Sequence, residues 1–179
     1  MESISISAYK LSAKIPDCSL QDINDFCRKF CIRTKWFNNN QHLIFYHKYT
    51  YIFFKKSLNN WNDQHVNITK VKENEIKDAI HELAWLIDVD PSIIFHTVDN
   101  ITAGAKLERS INLEDFVNEN QDYSDLICYN PESFTGLFVR GENGKAILFR
   151  NGKLVFVGCK DKEQLEKLYS FIMKLCANI

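Results

Sequence analysis

The strongest constraint on the fold of this chain is an internal repeat with a spacing of about 92 residues. Ala13-Lys14-Ile15 precedes a helix-start signal at Ser19, and Ala105-Lys106-Leu107 precedes a helix-start signal at Asn112. In both places a helix-capping residue is followed three positions later by an acid, and apolar residues then recur at helical spacing. The chain is therefore predicted to contain two copies of one structural unit.

The second halves of the two copies correspond as well. Residues 51–55 resemble residues 146–150, an extended apolar segment that ends in a cation. Residues 68–72 resemble residues 156–160, and each of these segments leads into a closing amphipathic helix. The closing helices are expected over residues 72–88 and 161–177.

Each copy is predicted to run strand, helix, four strands, helix, which is an α+β unit. Asp88-Val89-Asp90-Pro91 ends the first closing helix, because the residue before a proline disfavours helical backbone, and divides the chain into a first repeat, 1–90, and a second repeat, 91–179. One copy leaves one face of its sheet uncovered by helices. Two pseudo-symmetric β-α-β4-α repeats would form an antiparallel sheet whose other face meets water or a partner.

Composition and charge limit the kinds of partner that the chain can bind. The 179 residues are 45% hydrophobic, which is enough for a packed core, and the net charge of −1 argues against indiscriminate binding to nucleic acid. Basic residues nevertheless cluster twice at matching places, in residues 42–72 and 140–160. No apolar run approaches the roughly 20 residues that cross a bilayer. A solvated face is the simple explanation of each cluster, but their matching places in the two copies favour a shared role.

The six cysteines are scattered, and we interpret them as buried free thiols in a reducing compartment. A zinc site of Cys27, Cys31 and a histidine such as His42 is the alternative, but it lacks a second ligand pair at metal spacing. The sequence shows no nucleophile with a base, no carboxylate pair on a cleft, no phosphate loop and no metal motif. It predicts a protein that is not an enzyme and needs no cofactor.

Three segments of the second repeat carry specific motifs. Tyr129-Asn-Pro-Glu-Ser-Phe-Thr-Gly-Leu137 resembles the Tyr-x-Pro-Glu-x-Phe-Pro-Gly-Leu of the TATA-box-binding protein family. Ile147-Leu-Phe-Arg-Asn-Gly-Lys-Leu-Val155 resembles its Leu-Ile-Phe-x-Ser-Gly-Lys-x-Val, and Val157-Gly-Cys-Lys160 resembles its Thr-Gly-Ala-Lys. The first repeat matches the family in layout but poorly in its residues. The resemblance implies a curved, saddle-like antiparallel sheet with helices on the convex face and DNA beneath.

The resemblance also implies a set of DNA-binding residues. In the second repeat, the positions that face the minor groove are Asn100, Thr102, Phe134, Ile147, Phe149, Val155 and Val157. The positions that contact phosphates at the groove edges are Arg140, Lys153 and Lys160. Within this set, Phe134 and Phe149 match phenylalanines that wedge between base pairs. In the first repeat the corresponding residues are Ile52, Phe54, Thr69 and Lys72. Glu132 matches an acidic position that contacts a transcription factor IIB-like protein.

Ordinary structural roles compete with these assignments. Phenylalanines on strands usually belong to the core, an asparagine such as Asn100 often caps or turns the chain, and lysines can serve solubility alone. The first repeat departs most from the family. Where an asparagine is expected, the first repeat has Ser7 or Ala8. The candidate for its second wedge is Trp36 or Phe37. Asn67 and Thr69 occupy the groove-facing positions of its last strand.

The leading hypothesis is a general transcription initiation factor that binds and bends A·T-rich promoter DNA through the minor groove and nucleates a preinitiation complex. Its expected partners are double-stranded A·T-rich DNA, a transcription factor IIB-like protein and the RNA polymerase machinery, in the nucleus or in a cytoplasmic viral factory. The alternative is a protein–protein interaction module without DNA binding of its own. A third reading, a substrate-gripping domain attached to a nuclease or glycosylase, is disfavoured because no catalytic domain accompanies it. The wealth of Asn, Ile and Lys suggests an A·T-rich genome, as in large DNA viruses or parasites.

Overall fold

The computed structural model describes residues 4–39, 41–54 and 64–177. Contacts divide the chain into two compact units, one of Ala8–Asp99 and the other of residues 100–177 together with residues 4–7. Both units contain the same succession of elements, strand, helix, four strands and helix, as the repeat predicts. Lys55, at the end of one predicted strand, lies outside the described residues.

In the first repeat, five antiparallel strands follow the order β2-β3-β4-β5-β1. The elements are β1 (Ser5–Ile15), α1 (Leu20–Lys29), β2 (Arg33–Phe37), β3 (His42–Tyr46), β4 (Thr50–Phe54), β5 (Gln64–Val71) and α2 (Ile76–Leu86).

In the second repeat, the corresponding strands follow the order β6-β10-β9-β8-β7. The elements are β6 (Phe95–Lys106), α3 (Leu113–Glu119), β7 (Ile127–Cys128), β8 (Leu137–Gly141), β9 (Gly144–Leu148), β10 (Lys153–Cys159) and α4 (Lys162–Cys176). In the described part of the chain, short 3₁₀ turns accompany these elements at Glu73–Glu75, Pro91–Ile93 and Gln121–Leu126.

Side-chain caps set the starts of the helices. Ser19 accepts a hydrogen bond from the backbone N–H of Asp22 at 3.2 Å, and Asp161 accepts one from Gln164 at 2.8 Å. Asn112 caps α3 by accepting from the N–H of Glu114 at 3.1 Å. Each cap satisfies a backbone donor that the first helical turn leaves unpaired, so α1, α3 and α4 begin where their capping residues predict.

The closing helix of the first repeat is shorter than the predicted 72–88. Residues Glu73–Glu75 form a 3₁₀ turn, and the Glu75 carboxylate accepts a hydrogen bond from the N–H of Lys72 at 3.3 Å. The α-helix therefore begins only at Ile76. At the other end, Asp88 has a positive φ of 54°, which is incompatible with continued helix.

Both cores form where the helices cover one face of their own sheet. In the first repeat Leu43, Phe45, Tyr51 and Phe53 are fully buried, and in the second Leu148, Leu154 and Phe156 are buried under α4. Burial of each such side chain stabilises the fold by about 1.5–3 kcal/mol. Because side chains alternate along a strand, the residues between these positions lie on the face that helices leave uncovered.

The cysteine prediction is only partly right. All six cysteines are free, but Cys31 and Cys128 are exposed, because Cys31 follows the end of α1 and Cys128 lies on the two-residue edge strand β7. Burial raises the pKa of Cys27 to about 11, so its thiol stays protonated at neutral pH. Among the described residues no His, Cys, Asp and Glu group has the arrangement of a metal site. No helix in the described part of the chain is long and apolar enough to span a membrane.

Candidate nucleic-acid interface

An apolar row crosses the uncovered face of the second repeat. The strand registers place Phe138 opposite Ile147, Ile147 opposite Val155, and Val155 opposite Gly104. All four residues are half-buried, in contrast to the fully buried residues beside them that face the helices. Val157 continues the face on β10. The predicted groove residues Ile147, Val155 and Val157 therefore do lie on one surface.

Cations flank this row on both sides. Arg140 pairs with Lys145 across β8 and β9, two residues beyond Phe138 and Ile147, and Lys153 pairs with Lys106 across β10 and β6 on the opposite side. A separation of two residues along a strand is about 7 Å. All four cations are exposed. The result is an apolar strip between two positive edges, the pattern that a groove between two phosphate backbones requires.

Lys106 and Lys145 are members of this surface that sequence reasoning did not assign. Lys106 was only part of a repeated tripeptide, and Lys145 only one charge of a basic cluster. The signal that identifies them is cross-strand pairing with Lys153 and Arg140, which becomes visible only when the strand register is known.

Asn100 and Thr102 form a polar corner of the same face. Asn100 lies inside β6, so it neither caps a helix nor occupies a turn. Its Oδ1 accepts a hydrogen bond from the N–H of Gly158, and its Nδ2 donates to Thr102 Oγ1 at 3.3 Å. An amide nitrogen carries two hydrogens, so one N–H of Asn100 remains available to a ligand. The bonds to Gly158 and Thr102 hold the amide in place with this N–H still unused.

Phe134 and Phe149 belong to an aromatic cluster on the uncovered face and not to the buried core. The Phe134 ring lies 5.0 Å from the Phe138 ring and 6.0 Å from the Phe149 ring, and Phe134 is 39% exposed. Gly136 lies beneath them. A Cβ there would be 2.7 Å from Phe134 and 2.9 Å from Ile147, so the close packing of this cluster requires glycine.

The two segments that carry these phenylalanines are tied together at their ends. Arg150, which follows Phe149, forms an ion pair with Glu114 of α3 at 2.6 Å, and Tyr129 donates its hydroxyl to the same carboxylate at 3.3 Å. The backbone N–H of Glu114 and the charge of Arg150 lower the pKa of the Glu114 carboxyl. The carboxylate is therefore ionised at neutral pH and holds both segments.

In the first repeat, the equivalent row is less apolar. Ile44 pairs with Ile52, Ile52 with Asn67, and Asn67 with Ser12, so Asn67 stands where the second repeat has Val155 and Ser12 stands where it has Gly104. Ser12 donates its hydroxyl to Asn67 Oδ1 at 3.3 Å. Ile52 and Thr69 also lie half-buried on this uncovered face, as predicted from the sequence.

Strand register resolves the two alternatives that the sequence leaves open. Tyr9 pairs with Val71 as Ile101 pairs with Cys159, so Ala8, and not Ser7, corresponds to Asn100. The interface of the first repeat thus lacks that amide. Lys10 corresponds to Thr102, and its ammonium lies 3.6 Å from the carboxylate of Asp99.

The register also separates Trp36 from Phe37. Trp36 pairs with the buried Leu43 and so points to the helix-covered side, whereas Phe37 pairs with His42, which pairs with Phe54. Phe37 is 58% exposed, and the rings of His42 and Phe54 are 4.7 Å apart. Phe37 is therefore the residue that shares the uncovered face with Phe54.

At one edge of the first repeat, uncharged residues stand where the second repeat has cations. Tyr46 and Thr50 occupy the places of Arg140 and Lys145, and the Arg33 guanidinium lies 5.4 Å from the centre of the Tyr46 ring. Two predicted cations do correspond between the repeats. These are Lys72 and Lys160, whose side chains are exposed just before the closing helices. The backbone N–H of each donates a hydrogen bond to a side chain of the following turn.

Glu132, the predicted partner-binding residue, lies in an exposed turn before β8. Asn130 organises this turn, because its side-chain oxygen accepts from the N–H of Glu132 at 3.2 Å and its backbone oxygen accepts from Phe134 at 3.0 Å. The turn thus connects the position of Glu132 to that of the wedge candidate Phe134.

Comparisons with known proteins agree on one family. Residues 95–179 match the family model described as "Transcription factor TFIID (or TATA-binding protein, TBP)". A TATA-box-binding protein of Haloarcula marismortui is 34% identical over 108 residues, which is 57% of this chain and 53% of the relative. A TATA-box-binding protein of Thermoplasma volcanium is 38% identical over 106 residues, 56% of this chain and 54% of the relative. The chain thus spans about half the length of these relatives.

The fold similarity extends further than the sequence similarity. The structure of Methanococcus jannaschii TBP superposes with a TM-score of 0.74 over 99% of both chains, at 22% identity. This confirms the predicted fold class for the whole chain, including the first repeat.

Proposed function

We propose that this chain, which belongs to the TATA-binding protein family through residues 95–179, is a general transcription initiation factor that binds the minor groove of A·T-rich promoter DNA. The observation that carries the proposal is the uncovered face of the second repeat, an apolar row with Arg140 and Lys145 on one side and Lys153 and Lys106 on the other. In this proposal the face lies on the floor of the groove and the cations contact the two phosphate backbones.

The polar and apolar groups of this face suit A·T pairs. An A·T pair presents only acceptors in the minor groove, and a G·C pair adds the amino group of guanine. The oriented amide of Asn100 supplies a donor to those acceptors. Val155 and Val157 offer no acceptor to a guanine amino group, so a G·C pair against them would leave that group without a partner.

The aromatic cluster accounts for bending. Apolar side chains inserted between base steps unstack them and kink the duplex. Phe134 and Phe149 are exposed or half-exposed on the DNA-facing side, and Arg150 and Tyr129 brace their segments through Glu114. We therefore infer that these two phenylalanines kink one step of the bound site.

In transcription, the bent complex would be the platform on which a transcription factor IIB-like protein and the RNA polymerase machinery assemble. Glu132, exposed next to the wedge segment, is the proposed contact for the former. The place of action would be the nucleus, or a cytoplasmic viral factory if the gene is viral.

A fluorescence anisotropy titration tests the proposal directly. An A·T-rich duplex and a G·C duplex of equal length are titrated with the protein over a salt series, and a doubly labelled A·T duplex reports bending by energy transfer. We expect salt-sensitive binding that favours the A·T duplex, with increased transfer on binding. Absence of salt-sensitive binding to the A·T duplex would refute the proposal.

A second candidate function is a protein-interaction module without DNA binding. It is favoured by an aromatic cluster on the helix-covered side of the first repeat, where the Phe26 ring lies 4.7 Å from Phe30 and 5.1 Å from Trp85. Phe30 and Trp85 are each 52% exposed. This function predicts that Trp85→Ser abolishes binding to an initiation protein while the DNA titration of the wild type stays flat.

A further inference from the structure

The two repeats differ at the centre of their uncovered faces. In the second repeat, Val155 pairs with Gly104, and neither side chain can form a hydrogen bond. At the equivalent place in the first repeat, Asn67 pairs with Ser12, and the Ser12 hydroxyl donates to Asn67 Oδ1 at 3.3 Å. Both residues of this polar pair are half-buried and on the uncovered side of the sheet.

The polar pair has unused acceptor capacity. A carbonyl oxygen has two lone pairs, and Asn67 Oδ1 uses one of them for Ser12. The Ser12 oxygen donates its proton in that bond and keeps lone pairs of its own. Acceptors are what a guanine amino group needs, and guanine is the only base that presents a donor in the minor groove.

Three neighbouring differences also make the first repeat less suited to an A·T pair or better suited to a guanine amino group. Ala8 replaces the amide of Asn100, so that position of the first repeat has no side-chain donor for an A·T pair. Lys10, at the place of Thr102, has the carboxylate of Asp99 at 3.6 Å, which engages its ammonium. On β5, Thr69 replaces Val157 and adds another hydroxyl acceptor.

From this contrast we propose that the chain recognises an asymmetric DNA site, with a G·C pair under Asn67 and Ser12 of the first repeat and A·T pairs under the second. The inference rests on the proposed minor-groove binding. It assigns Asn67 as the residue that determines the specificity of the first half of the site. It also gives the protein a defined direction on DNA, because exchanging the halves would place the guanine amino group against Val155.

The test uses 2,6-diaminopurine, which adds a guanine-like amino group to an A·T pair in the minor groove and leaves the pairing partner unchanged. Three duplexes are titrated by anisotropy. One is a symmetric A·T site, one carries the added amino group in one half, and one carries it in both halves. The symmetric A·T duplex measures minor-groove binding as such, and the other two measure tolerance of the amino group.

For the wild type, we expect the half-modified duplex to bind within about two-fold of the unmodified one, because the protein can choose the orientation that places the amino group at Asn67. The doubly modified duplex should bind about ten-fold more weakly, since one amino group must face Val155. Asn67→Val should make the half-modified duplex about ten-fold weaker too. Asn118→Val, the same change at an exposed position of α3, should behave as wild type.

The outcomes separate this inference from the proposed function. Failure of the unmodified duplex to bind overturns both. Normal binding of that duplex, combined with equal losses for the half-modified and doubly modified duplexes, overturns the asymmetry and leaves minor-groove binding intact. Equal affinity for all three duplexes also overturns it, and so does an Asn67→Val variant that tolerates the half-modified duplex. Thermal melts of both variants exclude a folding defect as the cause.

Discussion

Lys70 and Gly158 occupy equivalent positions in the last strands of the two repeats, and both have a left-handed backbone conformation. Their φ values are 67° and 97°, and each lies where the pairing with the first strand of the repeat shifts register. A left-handed conformation costs an L-residue about 1–2 kcal/mol. Glycine avoids that cost, so the first repeat retains a strained residue where the second has none.

Lys70→Gly should therefore raise the free energy of unfolding by about 0.5–1 kcal/mol, since the relief of strain exceeds the extra freedom of glycine in the unfolded chain. Gly158→Ala should lower it by about 1–2 kcal/mol, because φ is positive there. A Cβ at Gly158 would also come within 3.2 Å of Gly144 Cα. Urea unfolding of both variants measures these changes. A destabilised Lys70→Gly variant would show that the bulge of the first repeat is not strained.

Phe149→Ala should lower DNA affinity by roughly ten- to a hundred-fold, because base–aromatic contacts contribute about 1–3 kcal/mol each. Phe54→Ala should cost distinctly less. The second repeat has the Phe134–Phe149 cluster and four flanking cations, whereas Phe54 has His42 as its ring neighbour. Anisotropy titrations of both variants measure the difference.

The control for these titrations is Phe30→Ala, which removes an exposed phenylalanine from the helix-covered side and should leave DNA affinity unchanged. Thermal melts are run alongside, because loss of a core phenylalanine costs about 3–5 kcal/mol of stability and would mimic lost binding. A larger loss for Phe54→Ala would identify the first repeat as the main anchor.

Removal of one flanking cation should reduce the salt dependence of DNA binding by the contribution of one phosphate contact. Each phosphate contact contributes a slope of about −0.9 to a plot of log affinity against log salt. Arg140→Ala and Lys145→Ala should each make the slope shallower by up to about 0.9. Lys167→Ala is the matched control, because Lys167 lies on α4 and pairs with Glu163 at 2.6 Å. Unchanged slopes for both interface variants would exclude these residues from phosphate contact.

Glu132→Arg should weaken binding of a transcription factor IIB-like partner by about 1–3 kcal/mol if the charge pair is largely desolvated in the complex. DNA affinity of the isolated protein should change little, since Glu132 lies in the turn before β8 and outside the apolar row. The charge-matched control is Glu166→Arg on the exposed side of α4. Equal partner binding by the Glu132 variant and the wild type would contradict this assignment.

Local signals in the sequence were sufficient for much of the fold. The repeat, the caps at Ser19, Asn112 and Asp161, and the motifs of the second repeat predicted the layout of both units and the similarity of residues 95–179 to the family. These signals succeed because a cap or a hydrophobic period depends only on residues within a few positions of one another. The closing helix of the first repeat was predicted too long at its start, because Lys72 and Glu75 close a 3₁₀ turn there.

The members of the interface depended on long-range strand pairing. Side chains alternate between the two faces of a sheet, so a shift of one residue in the pairing register moves all side chains of a strand to the opposite face. The bulges at Lys70 and Gly158 introduce such shifts, and only the pairing across them identifies Ala8, and not Ser7, as the counterpart of Asn100. The same pairing selects Phe37 over Trp36.

By itself, the sequence determined that two like α+β units follow one another and that the second carries the family's motifs, since both properties are written in short stretches of neighbouring residues. The tertiary structure alone decided which residues share a face: Lys106 beside Lys153, Lys145 beside Arg140, and Ser12 beside Asn67. These partners lie on different strands and are brought together by the backbone hydrogen bonds between those strands. The register of that pairing depends on both strands together, so it cannot be derived from the sequence of either strand alone.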